Sequence, residues 1–433
     1  MAYSGSLQPP KGTRDFFPDE MRVQSHLFET WRKICKNNAF EEYEGPTFES
    51  LDLYTGKSGP EIVSQLYHFS DKGGRDIALR PELTPTLARL VNQKGSALKL
   101  PIKWFSIPRL FRYEKMQRGR LREFFQLNMD IVGCDSLWAE VDLMAAIIEM
   151  LRSFGLEKTD FRIRVSSRKL LSDTLDLLAV PADAKPAVYS ALDKREKLPA
   201  EAFADLLRQA GLDESAQADL NFIFSSPGLT ALQGALDKVA AARNHEPEFP
   251  GLKDLVWLLE SMQALGLGEF IDLDLSVVRG LAYYTGVVFE VYDAGKSMRA
   301  LAGGGRYDNL LENLGGRPLS GVGFGMGDVV IADLLREKNL LPGADGRRLD
   351  YFVATFGEPS AEAFRIAQVL RGRGLSAACS LTGGKLKKQM AQADEAGARK
   401  VLFIGSDRVP AGHFEVKDLI TGEQTALALE ALE

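Results

Sequence analysis

Five cations, Arg112, Lys115, Arg118, Arg120 and Arg122, crowd one short stretch that holds a single anion, Glu114, and a glycine, Gly119. Strand-like residues flank it on both sides, Trp104 to Phe111 and Phe124 to Val132, so the stretch reads as the polar loop of a hairpin. Alternation along the second flank puts Phe124, Gln126, Asn128 and Asp130 on one face. A basic loop above an aromatic ring, an amide and a carboxylate suits a nucleotide polyphosphate held beside a small zwitterion. A solvated charge run would leave that polar face unexplained.

Four further stretches bear on the same chemistry. Val278 to Glu290 reads Val-Arg-Gly-Leu-Ala-Tyr-Tyr-Thr-Gly-Val-Val-Phe-Glu, and its β-branched, aromatic second half predicts a strand with Arg279 at one end of a sheet. Arginine keeps its charge, and beside Tyr283, Tyr284 and a glycine it is equipped to hold an anion next to something flat. Taken alone, the segment reads more simply as a rim arginine beside core tyrosines. Ile77 to Thr86 starts as a strand, turns at Pro81 and Pro85, and presents Arg80, Glu82, Thr84 and Thr86 before a helix expected from Leu87 to about Gln93. Glu82 is placed either to favour that helix dipole or to accept an ammonium group. Downstream, Ala302-Gly-Gly-Gly-Arg-Tyr-Asp308 offers backbone that a ligand can approach closely, with Arg306, Tyr307 and Asp308 expected to open a helix. Gly321 to Gly327 then repeats glycine at every second residue, leaving room for a flat ring on one strand face, before a helix from Asp328 to Glu337.

Composition removes several other chemistries. The 433 residues are 45% hydrophobic and 26% charged, enough for two or three domains with their own cores. Cys35, Cys134 and Cys379 are far apart and odd in number, which argues against a disulfide framework and a cysteine zinc site. The four histidines are isolated, so neither a histidine metal cluster nor a Ser-His-Asp triad is expected. No resident metal is expected. Catalysis then falls to arginines, carboxylates and an ion carried by the substrate. There is no long apolar run and no basic-then-apolar leader at Met1 to Arg14, which points to the cytoplasm and away from membranes. A net charge of −6 gives no overall attraction to nucleic acid, so any such contact must use a local basic patch.

The elements that must position these groups follow from periodicity. Val23, Leu27, Phe28, Trp31, Ile34 and Cys35 recur at helical spacing from Asp19 to about Asn38, and Leu137 to Phe154 predicts a second amphipathic helix. Asp160 to Val165 alternates as a strand. Residues 168–267 turn Leu- and Ala-rich and read as a helical insertion, after which sheet patterns resume at Ile271. The expected division is a core over 1–338, a Gly-Pro-Arg linker over 339–349, and a terminal α/β domain over 350–433 with a partly parallel sheet. Within the last, Gly383 to Lys388 is a basic helix start, either a solubilising face or an RNA contact.

Together these residues resemble the histidyl-tRNA synthetases, a class II aminoacyl-tRNA synthetase family. Lys11 to Pro18 is similar to the family's opening, Leu79 to Thr84 to its Leu-Arg-Pro-Glu-x-Thr, and Phe111 to Gln126 to its motif 2. Arg279 to Gly286 and Gly303 to Asp308 resemble its two histidine-specific motifs, and 350–433 resembles its anticodon-binding domain. The resemblance implies an α+β protein whose core is a six-stranded antiparallel sheet backed by helices. It also implies a homodimer that activates histidine with ATP and magnesium and transfers it to tRNA(His). By position, Glu82 and Thr84 would take the ammonium group of histidine, and Gln126, Asp130, Tyr283, Tyr284 and Tyr307 would line its pocket. Asp130 or a tyrosine would meet the imidazole. Arg112 and Arg279 would be the catalytic cations at the α-phosphate, with Glu114 on the adenine amine, Arg120 on the γ-phosphate and Phe124 stacked on adenine. Arg118, Arg122, Lys385, Lys387 and Lys388 would face tRNA.

The chain departs from the family pattern at three points. Asp130 stands where many members carry Glu, Ala282 where many carry Asp, and the motif 3 stretch Gly327 to Val330 has no arginine. That last departure leaves Arg118, Arg120 or Arg306 to make the missing phosphate contact. The competing reading is a catalytically inactive histidine sensor resembling the regulatory subunit of ATP phosphoribosyltransferase. Such relatives usually lack the terminal domain, which this chain keeps.

Overall fold

The computed structural model describes residues 7–55, 63–195, 198–246, 248–277, 283–341, 349–406 and 408–432. The chain separates into two units, residues 1–341 and 342–433. Arg279 and Ala282, and most of the expected linker, lie outside the described residues.

The strands of the first unit are β1 (Glu41–Glu42), β2 (Phe48–Ser50), β3 (Tyr67–Ser70), β4 (Asp76–Leu79), β5 (Ile102–Ser106), β6 (Arg109–Phe111), β7 (Glu123–Val132), β8 (Phe161–Ser167), β9 (Ile271–Leu273), β10 (Val287–Asp293), β11 (Ala302–Arg306) and β12 (Gly321–Gly327). The main sheet runs β1-β5-β7-β12-β11-β10-β8-β9. Its six central strands pair antiparallel, as expected, and β1 and β9 extend the two edges as short parallel additions. β7 is long enough to take two partners in succession. β5 pairs with its second half, from Ser106 opposite Asn128 to Ile102 opposite Val132, and β6 with its first. A separate small sheet has the order β2-β4-β3.

Alternation decides which side of this sheet is filled. Leu127, Met129 and Ile131 of β7, and Val322, Phe324 and Met326 of β12, join one apolar core with Leu27, Trp31 and Ile34 of the helix Pro18–Asn37 and with the helix Trp138–Ser153. The opposite face of β7 carries Gln126, Asn128 and Asp130 and is left for the site. The 168–267 insertion forms helices at Arg168–Leu177, Lys185–Leu192, Ala200–Gln209, Glu214–Phe224, Gly228–Ala242 and Pro250–Ala264, closed on a core of their own.

Two local expectations are corrected. The helix after Glu82 spans Thr84–Lys94, starting before Leu87, because Pro85 falls in the first turn, where its missing N–H is no loss. Gly303 to Gly305 lie inside β11, and Arg306 ends that strand instead of opening a helix. A side chain there has no room: a Cβ on Gly304 would stand 2.1 Å from the Gly323 carbonyl oxygen of β12.

The second unit holds β13 (Leu349–Thr355), β14 (Ala377–Cys379), β15 (Ala398–Ile404), β16 (His413–Asp418) and β17 (Gln424–Ala428) in the order β14-β13-β15-β16-β17. β13 pairs parallel with β14 and β15, and the rest is antiparallel. Tyr351 and Val353 of β13 face the helix Ala361–Gly372, whereas Phe352 and Ala354 face the helix Leu386–Glu395. Buried Gln389 fixes the second helix to the sheet, accepting from the Thr355 N–H at 2.9 Å and donating to the Thr355 carbonyl at 2.7 Å. No helix among the described residues is long and apolar enough to cross a membrane.

Candidate active site

The floor of the site is β12, and its glycines explain what stands on it. Gly323, Gly325 and Gly327 pair across the ladder with Asp130, Asn128 and Gln126. A Cβ on Gly321 would stand 2.2 Å from a Tyr307 ring carbon, one on Gly323 2.0 Å from Asp130 Oδ1, and one on Gly325 2.7 Å from Gln126 Cδ. Real Cβ atoms do not make such contacts, so the bare strip makes room for the protein's own tyrosine ring, carboxylate and amide. The flat ring expected over the strip is Tyr307.

Tyr307 donates its hydroxyl to Asp130 Oδ1 at 2.6 Å, and both residues are buried. Burial pushes the Asp130 carboxyl up to about 7, against the opposing pull of that hydroxyl. Burial, and next the Asp130 charge, push the Tyr307 phenol well above its usual range. Tyr283 packs edge-on against both Tyr284 and Tyr307, with ring centroids 5.1 and 6.1 Å apart. Its hydroxyl donates to Glu82 Oε2 at 3.1 Å and lies within reach of Thr84. Burial first, then the Glu82 carboxylate, raise the Tyr283 phenol well above its ordinary value. The result is a cluster of three packed tyrosines, with Tyr283 hydrogen-bonded to one carboxylate and Tyr307 to another, assembled from four separate stretches of sequence.

A cleft adjoins it over the basic loop, and Arg112, Glu114, Arg120, Phe124 and Gln126 are among its lining residues. Arg112 donates from Nε to the Pro81 carbonyl at 2.8 Å, and its guanidinium lies 5.6 Å from the centre of the Phe124 ring. Arg120 is ion-paired with the buried Glu114. Arg122 is backed by the amino-terminal motif. Its N–H donates to the Gly12 carbonyl at 2.9 Å, and its guanidinium lies 4.1 Å from the centre of the Tyr113 ring. Arg118 is exposed and paired with Glu337.

Arg306, one of the three cations available for the phosphate contact that motif 3 lacks, is taken up elsewhere. Its Nε and Nη2 each donate to a Glu140 oxygen at 2.6 Å, and Nη1 donates to the Cys134 carbonyl at 3.0 Å. Burial works against its charge, but Glu140 outweighs that and holds the guanidinium protonated. Arg306 is a structural tie of the pocket's rear wall. Three residues of the site had escaped sequence reasoning: Glu140, Arg14 and Arg299. Glu140 reads on the sequence as a solvated acid of an amphipathic helix. Arg14 lay inside a recognised motif without an assigned role, and it pairs at 2.7 Å with the buried Asp328, which also accepts the Phe125 N–H at 3.0 Å. Arg299 is a single charge in the approach to β11 and lines the cleft.

In the second unit Lys385, Lys387 and Lys388 are exposed around the start of the helix Leu386–Glu395. Among the described residues none of the three has an ion-pair partner.

Comparison with known proteins identifies the family. The family described as Histidyl-tRNA synthetase matches residues 12–327, and the anticodon binding domain matches residues 350–433. The chain is 40% identical to the chloroplastic/mitochondrial histidine–tRNA ligase of Arabidopsis thaliana, over 99% of this chain and 86% of that protein. It is 39% identical to the histidine–tRNA ligase of Opitutus terrae, over 99% of this chain and 97% of that one. Among solved structures, the histidyl-tRNA synthetase of Nostoc sp. PCC 7120 shares the fold, with a TM-score of 0.81 at 24% identity over 99% of this chain and 98% of its own. The chain belongs to the histidyl-tRNA synthetase family.

Proposed function

We propose that this chain is a histidine–tRNA ligase. A carboxylate oxygen of histidine attacks the α-phosphorus of ATP, the bond to the bridging oxygen breaks, and histidyl-adenylate and pyrophosphate result. A hydroxyl of the terminal ribose of tRNA(His) then attacks the carbonyl of the adenylate, AMP leaves, and the proton passes to solvent.

The observation that carries this reading is the buried pair of carboxylates, Glu82 and Asp130, each hydrogen-bonded to a member of one tyrosine cluster, together with an arginine-lined cleft that includes Gln126 of the same strand as Asp130. Glu82, with Thr84, is placed for the ammonium group of histidine. Asp130, held by Tyr307, is placed for the far end of the amino acid, and Gln126, Tyr283 and Tyr284 complete its walls. Arg112 is held in position by the Pro81 carbonyl and serves the α-phosphate. Charge builds on that phosphate in the transition state, and a cation fixed beforehand stabilises it without reorganising. Arg279 is assigned the same phosphate on sequence grounds alone. Phe124 offers a stacking face to adenine. Glu114 takes the adenine amine and Arg120 the γ-phosphate, so nucleotide binding would exchange their mutual ion pair for two contacts with ATP. Magnesium enters with ATP as part of the substrate.

The core over 1–338 carries this chemistry, 339–349 links it onward, and 350–433 takes tRNA through Lys385, Lys387 and Lys388, with Arg118 and Arg122 at the acceptor end. The enzyme is taken to act as a homodimer in the cytoplasm. Histidine-dependent exchange of pyrophosphate into ATP, followed by charging of tRNA(His), tests the reading. A protein that bound histidine with no exchange would be the sensing paralogue instead.

A further inference from the structure

We propose that Arg299 contacts the outer phosphates of ATP in this chain, in the role left vacant by the arginine that motif 3 lacks; this rests on the ligase reading above. The motif 3 side of the cleft is apolar, walled by Val329 and Val330. Gly119, at the turn of the basic loop with φ of +73°, reports what faces that wall. A Cβ built there would stand 3.2 Å from Val330 Cγ2 and 3.6 and 3.9 Å from Arg299 Cδ and Cγ. The aliphatic stem of Arg299 and the Val330 side chain therefore both lie against the turn of the basic loop at Gly119.

Two of the other candidate cations are committed, Arg306 to Glu140 and Arg118 to Glu337. Arg120, once released from Glu114 by the nucleotide, already has its own γ-phosphate contact, which leaves a second one to be made. Arg299 is exposed, lines the same cleft as Arg112 and Arg120, and among the described residues has no carboxylate partner. A guanidinium in that state keeps its full set of donors for a phosphate, which it can bind through two nitrogens at once. Its attachment also differs from that of a motif 3 arginine. It hangs from the segment leading into β11, so the contact would come from the opposite wall of the cleft.

Equilibrium binding of MgATP and of AMP to the full chain, in wild type, Arg299→Ala and Arg299→Lys, tests the proposal. Loss of charge-assisted contacts to the outer phosphates should weaken MgATP by on the order of tenfold in Arg299→Ala and leave AMP unchanged. Arg299→Lys should recover part of the loss. Equal weakening of both nucleotides would make Arg299 a prop of the cleft, and no change in either would leave it facing solvent; both results overturn the assignment. Exchange assays separate this failure from failure of the underlying reading. A wild type with no histidine-dependent exchange removes the ligase and this role with it. A wild type that exchanges, paired with an Arg299→Ala variant whose KM for ATP is unaltered, removes only this role.

Discussion

Arg306 and Glu140 meet side by side, Nε and Nη2 each 2.6 Å from a carboxylate oxygen, with 8% of one side chain and none of the other exposed. Removing one member strands the other's charge in the interior, which typically destabilises by about 3–5 kcal/mol. Arg306→Ala and Glu140→Ala should each lower the urea midpoint of unfolding by an amount in that range, and the double variant by much less than the sum. If Arg306→Ala kept wild-type stability yet lost ATP binding, Arg306 would be a substrate contact after all.

Gly323→Ala should disable the site and shift β12 locally against β7, at some cost in stability, while the protein still folds. The new methyl would collide with Asp130 Oδ1 and with the Met129 carbonyl. Only the Asp130 side chain can swing away, and its hydrogen bond to Tyr307 would go with it. Histidine binding should fall at least tenfold, with the far-ultraviolet circular dichroism spectrum unchanged. Wild-type affinity in a folded Gly323→Ala protein would mean that the pocket does not use Asp130.

Asp130 also predicts a pH signature. Its folded-state value of about 7 lies above the ordinary carboxylate value of ~4, so the folded protein holds this proton more tightly than the unfolded chain. The stability this group contributes is complete below about pH 4 and is lost as pH rises through about 7. Asp130→Asn cannot ionise and should lack that loss. Urea unfolding followed from pH 4 to pH 8 should show the wild type losing stability relative to Asp130→Asn as pH rises. Parallel curves would show that the carboxyl is not raised.

Tyr283→Phe removes one hydroxyl and leaves the ring. That hydroxyl donates to Glu82, so its loss should leave the Glu82 carboxylate less firmly oriented for the ammonium group. The KM for histidine in pyrophosphate exchange should rise several-fold with the KM for ATP unaltered. Equal changes in both would point to a general disturbance of the pocket.

Replacing Lys385 and Lys387 together by Ala should weaken tRNA binding and flatten its dependence on salt, since fewer counterions are released. Filter binding at several salt concentrations reads both quantities. An unchanged affinity and slope would leave this patch as a solvated face.

Strict periodicity made parts of this molecule readable. Asp130 and Gln126 were legible as site residues because alternation along β7 sends them to the face opposite Leu127 and Met129. The glycine repeat of β12 announced room for a flat ring, though not whose: the tenant is Tyr307, which reaches it only once β11 and β12 pair. Glu140 was illegible for a related reason, since one acid on a long helix takes its meaning from an arginine 166 positions away. Arg299 stands outside any repeating element, and only the approach of Gly119 and Val330 gives it a context. Gly303 to Gly305 read as backbone open to a ligand, with a helix beginning at Arg306. In this sheet they are strand, forced by how closely β11 and β12 approach.

Arg14 bears on more than its own corner. Asp328 lies under the strand that bears Phe124 and would carry an uncompensated negative charge there were it not matched from the amino-terminal segment. Trimming the chain past Arg14, or masking that stretch with a bulky tag, would thus leave a buried carboxyl without its cation beside the strand that bears Phe124, and a defect made at one extremity would surface as a loosened wall of the cleft.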